Sequence, residues 1–261
     1  MIGRRSILTM SLLSVLAFCA FGAQSAFAWE TASNTTAFEC SASAPTKDYA
    51  DAHCDTTGGS AFGHVALAAG TSVAIETSNA ATKNNTTEAE PAVLTGTLLG
   101  ASVKVTCNKV SPDTANASFV KNIATGDFEG TSAVNFTECT LEGNGAPNCH
   151  VEEPITLASL FHAVEQGTTT REMAIEFSPD PSTSTTFVTL HFAGTGCLLT
   201  SAAVKGKARG TGSGAGNNGA TLHFQPTDEE LTFGGNAATF TGTFTTKVSS
   251  TGNALVTTTT P

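Results

Sequence analysis

The sequence predicts an all-β protein: an antiparallel sandwich or a barrel-like pair of sheets, built from two related units and stapled by disulfides. Three observations carry that prediction. Period-two patterns of apolar residues dominate the chain after its N-terminal segment. Six cysteines, an even number, remain once the N-terminal segment is set aside. Finally, the chain matches itself at an offset of about 100 residues.

Taken in order, residues 1–28 (MIGRRSILTMSLLSVLAFCAFGAQSAFA) have the layout of a signal peptide. Arg4 and Arg5 give a positive start, Ile7 to Phe21 an apolar run, and Ala26-Phe27-Ala28 a small-x-small cleavage site. The run falls short of the about 20 residues a membrane span needs. Phe18 stands where a lipidated Cys19 would require a small residue, so simple export is expected over a lipid anchor. No transmembrane segment is expected after signal removal, and the location expected is secreted or associated with the cell envelope. The full chain has 12 basic and 22 acidic residues. Losing Arg4 and Arg5 leaves 10 against 22, a net charge of −12. Such a chain repels nucleic acid and anionic membrane, so neither is an expected partner. The partner expected is extracellular or in the cell envelope, of unspecified identity.

The self-match places Ala74-Ile75-Glu76 and Ser78 on Ala174-Ile175-Glu176 and Ser178. It also places Thr95-Gly96 and Leu98-Leu99 on Thr195-Gly196 and Leu198-Leu199. Cys40 and Cys139 each close a related tetrapeptide, AFEC or FTEC, and each is followed by a second cysteine. The division expected is 29–135 for a first β unit, 136–209 for a second, related one, and 210–261 for C-terminal strands packed with both. Two copies suggest a duplication, since a repeat array needs at least three. In an exported chain the cysteines favour disulfides over a zinc site, whose spacing they lack. The repeat suggests local pairs Cys40–Cys54 and Cys139–Cys149, leaving Cys107 with Cys197. A three-residue loop Gly143-Asn144-Gly145, with Gly145 left-handed, would set 139 opposite 149. Pro147 counts against a regular ladder there.

Period two then identifies the strands. Val103, Val105 and Cys107 share one face; so do Val188, Leu190 and Phe192. Residues 154–166 fit helical spacing through Leu157, Leu160, Phe161 and Val164, yet Ile155, Leu157 and Phe161 also share one strand face. A strand is preferred, because the matching first-unit segment GHVALAAGTSVAIE reads as strands. Lys205, Lys207 and Arg209 fall on one face of their segment, as in a solvent-facing or edge strand guarded by charge. Leu222 with Phe224, Leu231 with Phe233, and Phe240 with Phe244 complete the set. Residues 79–91 and 210–219 are polar or glycine-rich and read as mobile loops.

No catalytic residue, metal site or cofactor is assigned. His150 and Glu152 would share a strand face beside Glu153 but lack a nameable third ligand, so a polar rim is favoured. Asp228-Glu229-Glu230 supplies adjacent acids, whereas glycoside hydrolysis needs two carboxyls across a cleft. Asp48, Asp51 and Asp55 depart from the Ca²⁺-loop spacing. Gly214 to Gly219 matches G-x-G-x-x-G without a following helix, and no G-x-S-x-G occurs. His64 and His162 hold related places in the two units, which suggests shared packing.

The segments KDYADAHC, FTECTLEGNGAPNCHV, PITLASL, MAIEFSPDPSTSTTFVTLHFAGTGC and VKGKARG together resemble a group of uncharacterised secreted proteins of soil actinobacteria. That resemblance covers most of the mature chain and implies export and β structure, not catalytic residues. The function expected is therefore a non-catalytic extracellular or envelope-associated binding or structural protein. A secreted carboxylate-dependent hydrolase, for example on glycans and using acids near His150 or Asp228, is the alternative.

Overall fold

Threonine, valine and phenylalanine suit a pleated surface with one buried face, and strands account for the regular structure of this chain. A computed structural model describes residues 29–79, 90–124, 126–144, 147–166, 172–212, 220–226 and 230–259. The first strands are β1 (Trp29–Thr31), β2 (Thr35–Ser41), β3 (Gly63–Ala66), β4 (Val73–Asn79), β5 (Ala92–Leu98) and β6 (Ala101–Pro112). The middle of the chain forms β7 (Ser118–Ile123), β8 (Asp127–Glu142), β9 (His150–Val151), β10 (Ile155–Gln166), β11 (Glu172–Ser178) and β12 (Thr186–Ala193). Last come β13 (Ser201–Gly212), β14 (Thr221–Phe224), β15 (Glu230–Phe233), β16 (Asn236–Val248) and β17 (Leu255–Thr259).

The pairing closes on itself. β8 pairs with β10, β10 with β11, β11 with β13, β13 with β14, β14 with β16, β16 with β4, β4 with β7, and β7 returns to β8. All eight contacts are antiparallel, so the strands form a closed ring and leave no free edge between them. Three long strands, β8, β13 and β16, continue past the ring and change partners. Beyond it β8 pairs with β6, β6 with β5, β5 with β16, β16 with β15, β15 with β13 and β13 with β12. The result is a closed barrel extended at its upper end by an arc of strands, from β6 to β12. The arc reuses three of the barrel's staves, and no pairing between β12 and β10 closes it among the described residues.

Inward positions alternate along each stave. On β10 they are Ile155, Leu157, Ser159 and Phe161; on β16 they include Phe240, Phe244 and Thr246. Rings need room, and glycine supplies it on a neighbouring strand. A Cβ on Gly130 would lie 2.2 Å from Cζ of Phe161, the residue directly opposite it across β8 and β10. Phe161, Phe177, Phe224, Phe240 and Phe244 then form a chain of ring contacts with centroids 5.4–6.0 Å apart through the middle of the barrel.

A second, three-stranded sheet, β17-β2-β3, covers the lower end. Its β17 contributes Leu255 to a lower core that also holds Phe128, Phe161, Ile175 and Val248. Asn122 on β7 fastens the cap with a buried side-chain amide. The Ala37 N–H donates to its Oδ1 (2.8 Å), and its Nδ2 donates to the Ala37 and Leu67 carbonyls (3.0 Å each).

Several expectations are corrected here. Of the disulfides, Cys40–Cys54 forms as expected, but the other two are Cys107–Cys139 and Cys149–Cys197. The reason is the length of β8, which stays paired with β6 as far as Glu142. Cys107 and Cys139 therefore face each other directly, with Cα atoms 3.9 Å apart. The chain then leaves β8 before it could turn back on itself. Asn144 meets the 197–199 turn instead: the Leu198 N–H donates to its carbonyl and the Leu199 N–H to its Oδ1. That contact brings Cys149 to Cys197. Gly145 lies outside the described residues, as do most of the expected loops at 79–91 and 210–219, although 210–212 belong to β13.

Lys205 and Lys207 face solvent as expected, but the basic segment is no edge. β13 has partners on both sides, and Arg209 is buried at 3% exposure. The ambiguous segment 154–166 is the strand β10. Of the repeated blocks, the first lies on matching strands, with Ile75 and Ile175 both buried facing the interior. The second does not: Thr95 to Leu98 lie in β5, whereas Thr195 to Leu199 lie outside any strand, in the connection after β12.

Candidate functional site

A cavity of about 160 Å³ runs along the inside of the barrel, and none of its lining residues carries a charge. On β10 the lining extends from Ile155 to Phe161 and on β8 from Phe128 to Phe136. At about 3.3 Å per residue that is a length of roughly 20–26 Å. A compact 150 Å³ apolar cavity accepts benzene; the same volume drawn out over such a length is a narrow bore.

Polarity divides the bore into two ends. The upper end is lined by Leu94, Val105, Phe187, Leu190, Val204 and Leu231, with no polar side chain. The lower half carries five hydroxyls, from Thr77, Ser132, Ser159, Thr246 and Thr257, among the apolar Phe128, Phe161, Ile175 and Leu255. Strand register explains their convergence. Ser159 lies directly opposite Ser132 across β10 and β8, and Thr246 opposite Thr77 across β16 and β4. The last two hydroxyls hydrogen-bond each other at 2.9 Å. Ser159 and Thr257 are 4% and 6% exposed, and neither hydroxyl oxygen has a hydrogen-bond partner. A buried polar group left in that state costs about 1–3 kcal/mol.

The residues singled out from the sequence are placed elsewhere. His150 and Glu152 are exposed, on or beside β9. Glu153 is committed, because its carboxylate accepts the Glu138 and Cys139 N–H groups (2.6 and 2.7 Å). Asp228 and Glu229 lie outside the described residues, as does Gly214 to Gly219, and Glu230 pairs with Arg209 at 3.0 Å. Asp51 and Asp55 do come together, with His53 as a third ligand atom and all three within 4.8 Å. Those three could meet a cation, but the Asp51 carboxylate already accepts the His53, Asp55 and Thr56 N–H groups. Burial works against the charge on Asp51; these hydrogen bonds outweigh it and hold the carboxyl below its usual range.

His64 and His162 have different surroundings. His64 is stacked between Phe38 and Tyr49, with centroids 5.0 and 4.6 Å away, and its Nε2 is buried without a partner. Burial lowers its pKa, with the Asp48 charge opposing. His162 belongs to a row of alternating charge outside the barrel: Lys121, Glu129, His162, Glu176 and Arg209 are successive cross-strand neighbours. Glu176 is the buried centre of that row, with Lys207 Nζ 2.7 Å and Arg209 Nη2 2.7 Å from its carboxylate. Burial opposes its ionisation, but the two cations prevail and hold it below the usual glutamate range. Trp29 covers this cluster, its ring centroid 5.2 Å from Cζ of Arg209. A carboxylate so saturated is a structural anchor, not a proton donor.

One surface groove joins an acid, a histidine and a hydroxyl. Thr243 donates to the Glu90 carboxylate and lies 3.1 Å from Nδ1 of His223. The hydroxyl stands between the other two groups, whereas a nucleophile triad needs the histidine in the middle. Among the described residues no helix is long and apolar enough to cross a membrane. Three disulfides fit an oxidising compartment. Comparison of the chain with protein-family models, with curated proteins and with solved structures finds no match.

Proposed function

We propose that the mature chain is an exported, non-catalytic binding protein, acting outside the cell or at its envelope, that holds a small apolar molecule inside the barrel. The observation that carries this reading is the interior cavity, none of whose lining residues carries a charge. Small-molecule sites are mostly apolar, with a few placed polar groups, and this interior has that composition. The signal-like N-terminus and the disulfides support an extracellular location. The likeness to exported actinobacterial proteins agrees with it. The two-unit organisation belongs here as well; it rests on the shared placement of Ile75 and Ile175 and remains a proposal about ancestry.

The hydrolase alternative has less behind it. Glu153 and Glu230 are committed to structural partners. Among the described residues, the carboxyl groups whose titration is displaced, Asp51, Asp113, Glu176 and Asp180, all move downward, opposite to a general acid.

Xenon, which binds apolar cavities irrespective of ligand type, tests the reading. Pressurising the mature protein with xenon should shift the methyl resonances of Val105, Leu157 and Ile175 with a common saturation curve. Unmoved methyls would remove the cavity and the function with it.

A further inference from the structure

We infer that the upper end of the barrel, opposite the cap, docks on the surface of a zwitterionic lipid bilayer. This face goes beyond the binding function proposed above and does not depend on what fills the cavity.

Strand register gathers four connections at this end. They are the β5–β6 turn at 98–101, the segment 143–149 between β8 and β9, the β12–β13 connection at 194–200 and the β15–β16 turn at 233–236. Neighbouring connections brace one another. The Asn236 side-chain amide donates to the Thr97 C=O and the Gly234 N–H to the Ala203 C=O, both at 2.9 Å. A Cβ on Gly143 would lie 2.3 Å from the Ser102 carbonyl oxygen, and one on Gly234 2.4 Å from Cδ2 of Leu98. Cys149–Cys197 joins two of the connections covalently.

Charge is missing from this end. The chain is 13% charged, yet residues 93–103, 143–149, 192–204 and 231–246 contain no Asp, Glu, Lys or Arg. Just below, Lys104 and Glu142 neutralise each other at 3.0 Å. A charged partner would therefore find no counter-charge here.

Two leucines project instead. Leu99 is 68% and Leu198 53% exposed, two of the three large hydrophobic side chains exposed among the described residues. Leu99 is also in a conformation that leucine disfavours. It and Gly100 form a two-residue hairpin loop with φ of +50° and +81°, a turn that favours asparagine before glycine. Left-handed backbone strains a residue with a Cβ, and an exposed side chain recovers nothing by burial. Folding gives no reason for leucine at this position, whereas contact with an apolar medium does.

A second copy of the chain fits poorly. A stable protein interface buries about 800 Å² per partner around packed anchors, but these leucines stand on separate turns of glycine, serine, threonine and asparagine. Acyl chains need no complementary shape and accept isolated leucines, while small polar groups suit the headgroup region. An anionic surface would repel the acidic chain.

Vesicle flotation with the mature protein tests the face. Phosphatidylcholine vesicles at millimolar lipid should carry the protein upward, and an equal share of phosphatidylglycerol should lower the floating fraction at low salt. Leu99→Asn and Leu198→Ser should each weaken partition about tenfold. Leu99→Asn should leave stability unchanged or raised, because asparagine suits the turn, so its loss of flotation would not reflect unfolding. No flotation with phosphatidylcholine, undiminished flotation of the double variant, or tighter binding to the anionic vesicles would overturn the docking face. A concentration-dependent dimer in sedimentation, abolished by the same substitutions, would place a second copy there and overturn it as well. The xenon response of the cavity is independent of all these outcomes.

Discussion

His64 shows how a single side chain can set the pH response of the cap. Its ring is sandwiched between Phe38 and Tyr49 and its Nε2 is buried without a partner. Burial favours the neutral form, so the folded pKa lies below the usual value of about 6.5. The unfolded chain then binds more protons between the two values. Stability from this group is complete above about pH 6.5 and is lost as the pH falls toward the folded pKa. Denaturant melts should therefore show a decline in stability between pH 7 and pH 5 that His64→Phe flattens. Glu176 acts with the same sign at lower pH: its carboxyl is held below the usual range, so its contribution is present above about pH 4.5 and lost as the pH falls through its folded value. Glu176→Gln takes the buried carboxylate away from Arg209 and should cost about 3–5 kcal/mol in chemical denaturation. Neither environment was visible in the sequence. A histidine in a strand has no mark that tells a ring sandwich from a charge row, and the residues that decide between them come from other strands.

At the scale of elements, the cap is held to the barrel by the Asn122 amide, by Thr35, whose N–H and hydroxyl donate to the Gly126 C=O and the Asp127 carboxylate, and by Leu255 in the lower core. Asn122→Ala takes the amide away from the Ala37 N–H and the Leu67 C=O, while the Ala37 C=O keeps the Leu67 N–H, at about 1–3 kcal/mol. Amide exchange should speed up in β2 and β3 well before it does in β8. The staves make the complementary point. Cys107–Cys139 joins adjacent strands, whereas Cys149–Cys197 ties residues 48 apart in sequence. Mapping of non-reduced peptides should recover these two pairs. Replacing Cys149 and Cys197 together by alanine should cost about 3–5 kcal/mol, the range for a closure of that size. At β10, where helix spacing competed, the comparison with the first-unit segment favoured the strand; period two located part of β6, β12, β13, β14, β15 and β16. It could not give the pairings of Cys139, because those depend on how far β8 stays in register with β6. That distance is set by the whole sheet and not by the turn after it.

For the molecule as a whole, the local alternation of polar and apolar residues predicts sheets but does not say whether they close. Closure here depends on β16, near the C-terminus, pairing with β4 and β5 from the first third of the chain. Such distant registers leave no local trace. The candidate site was hidden for the same reason. Ser159 reads as a polar interruption in an apolar face, and Thr257 as one threonine in a threonine-rich tail. Only the closed ring and its cap bring both into the lining of one cavity. The binding function requires that bore to be continuous from Leu94 to Ile175. The most direct test is a methyl spectrum of the mature protein during titration with octane, following Leu94 at the apolar end and Ile175 at the hydroxyl end. A single cavity predicts that both resonances shift together along one saturation curve at one equivalent. Movement at one end alone, or two separate curves, would contradict it.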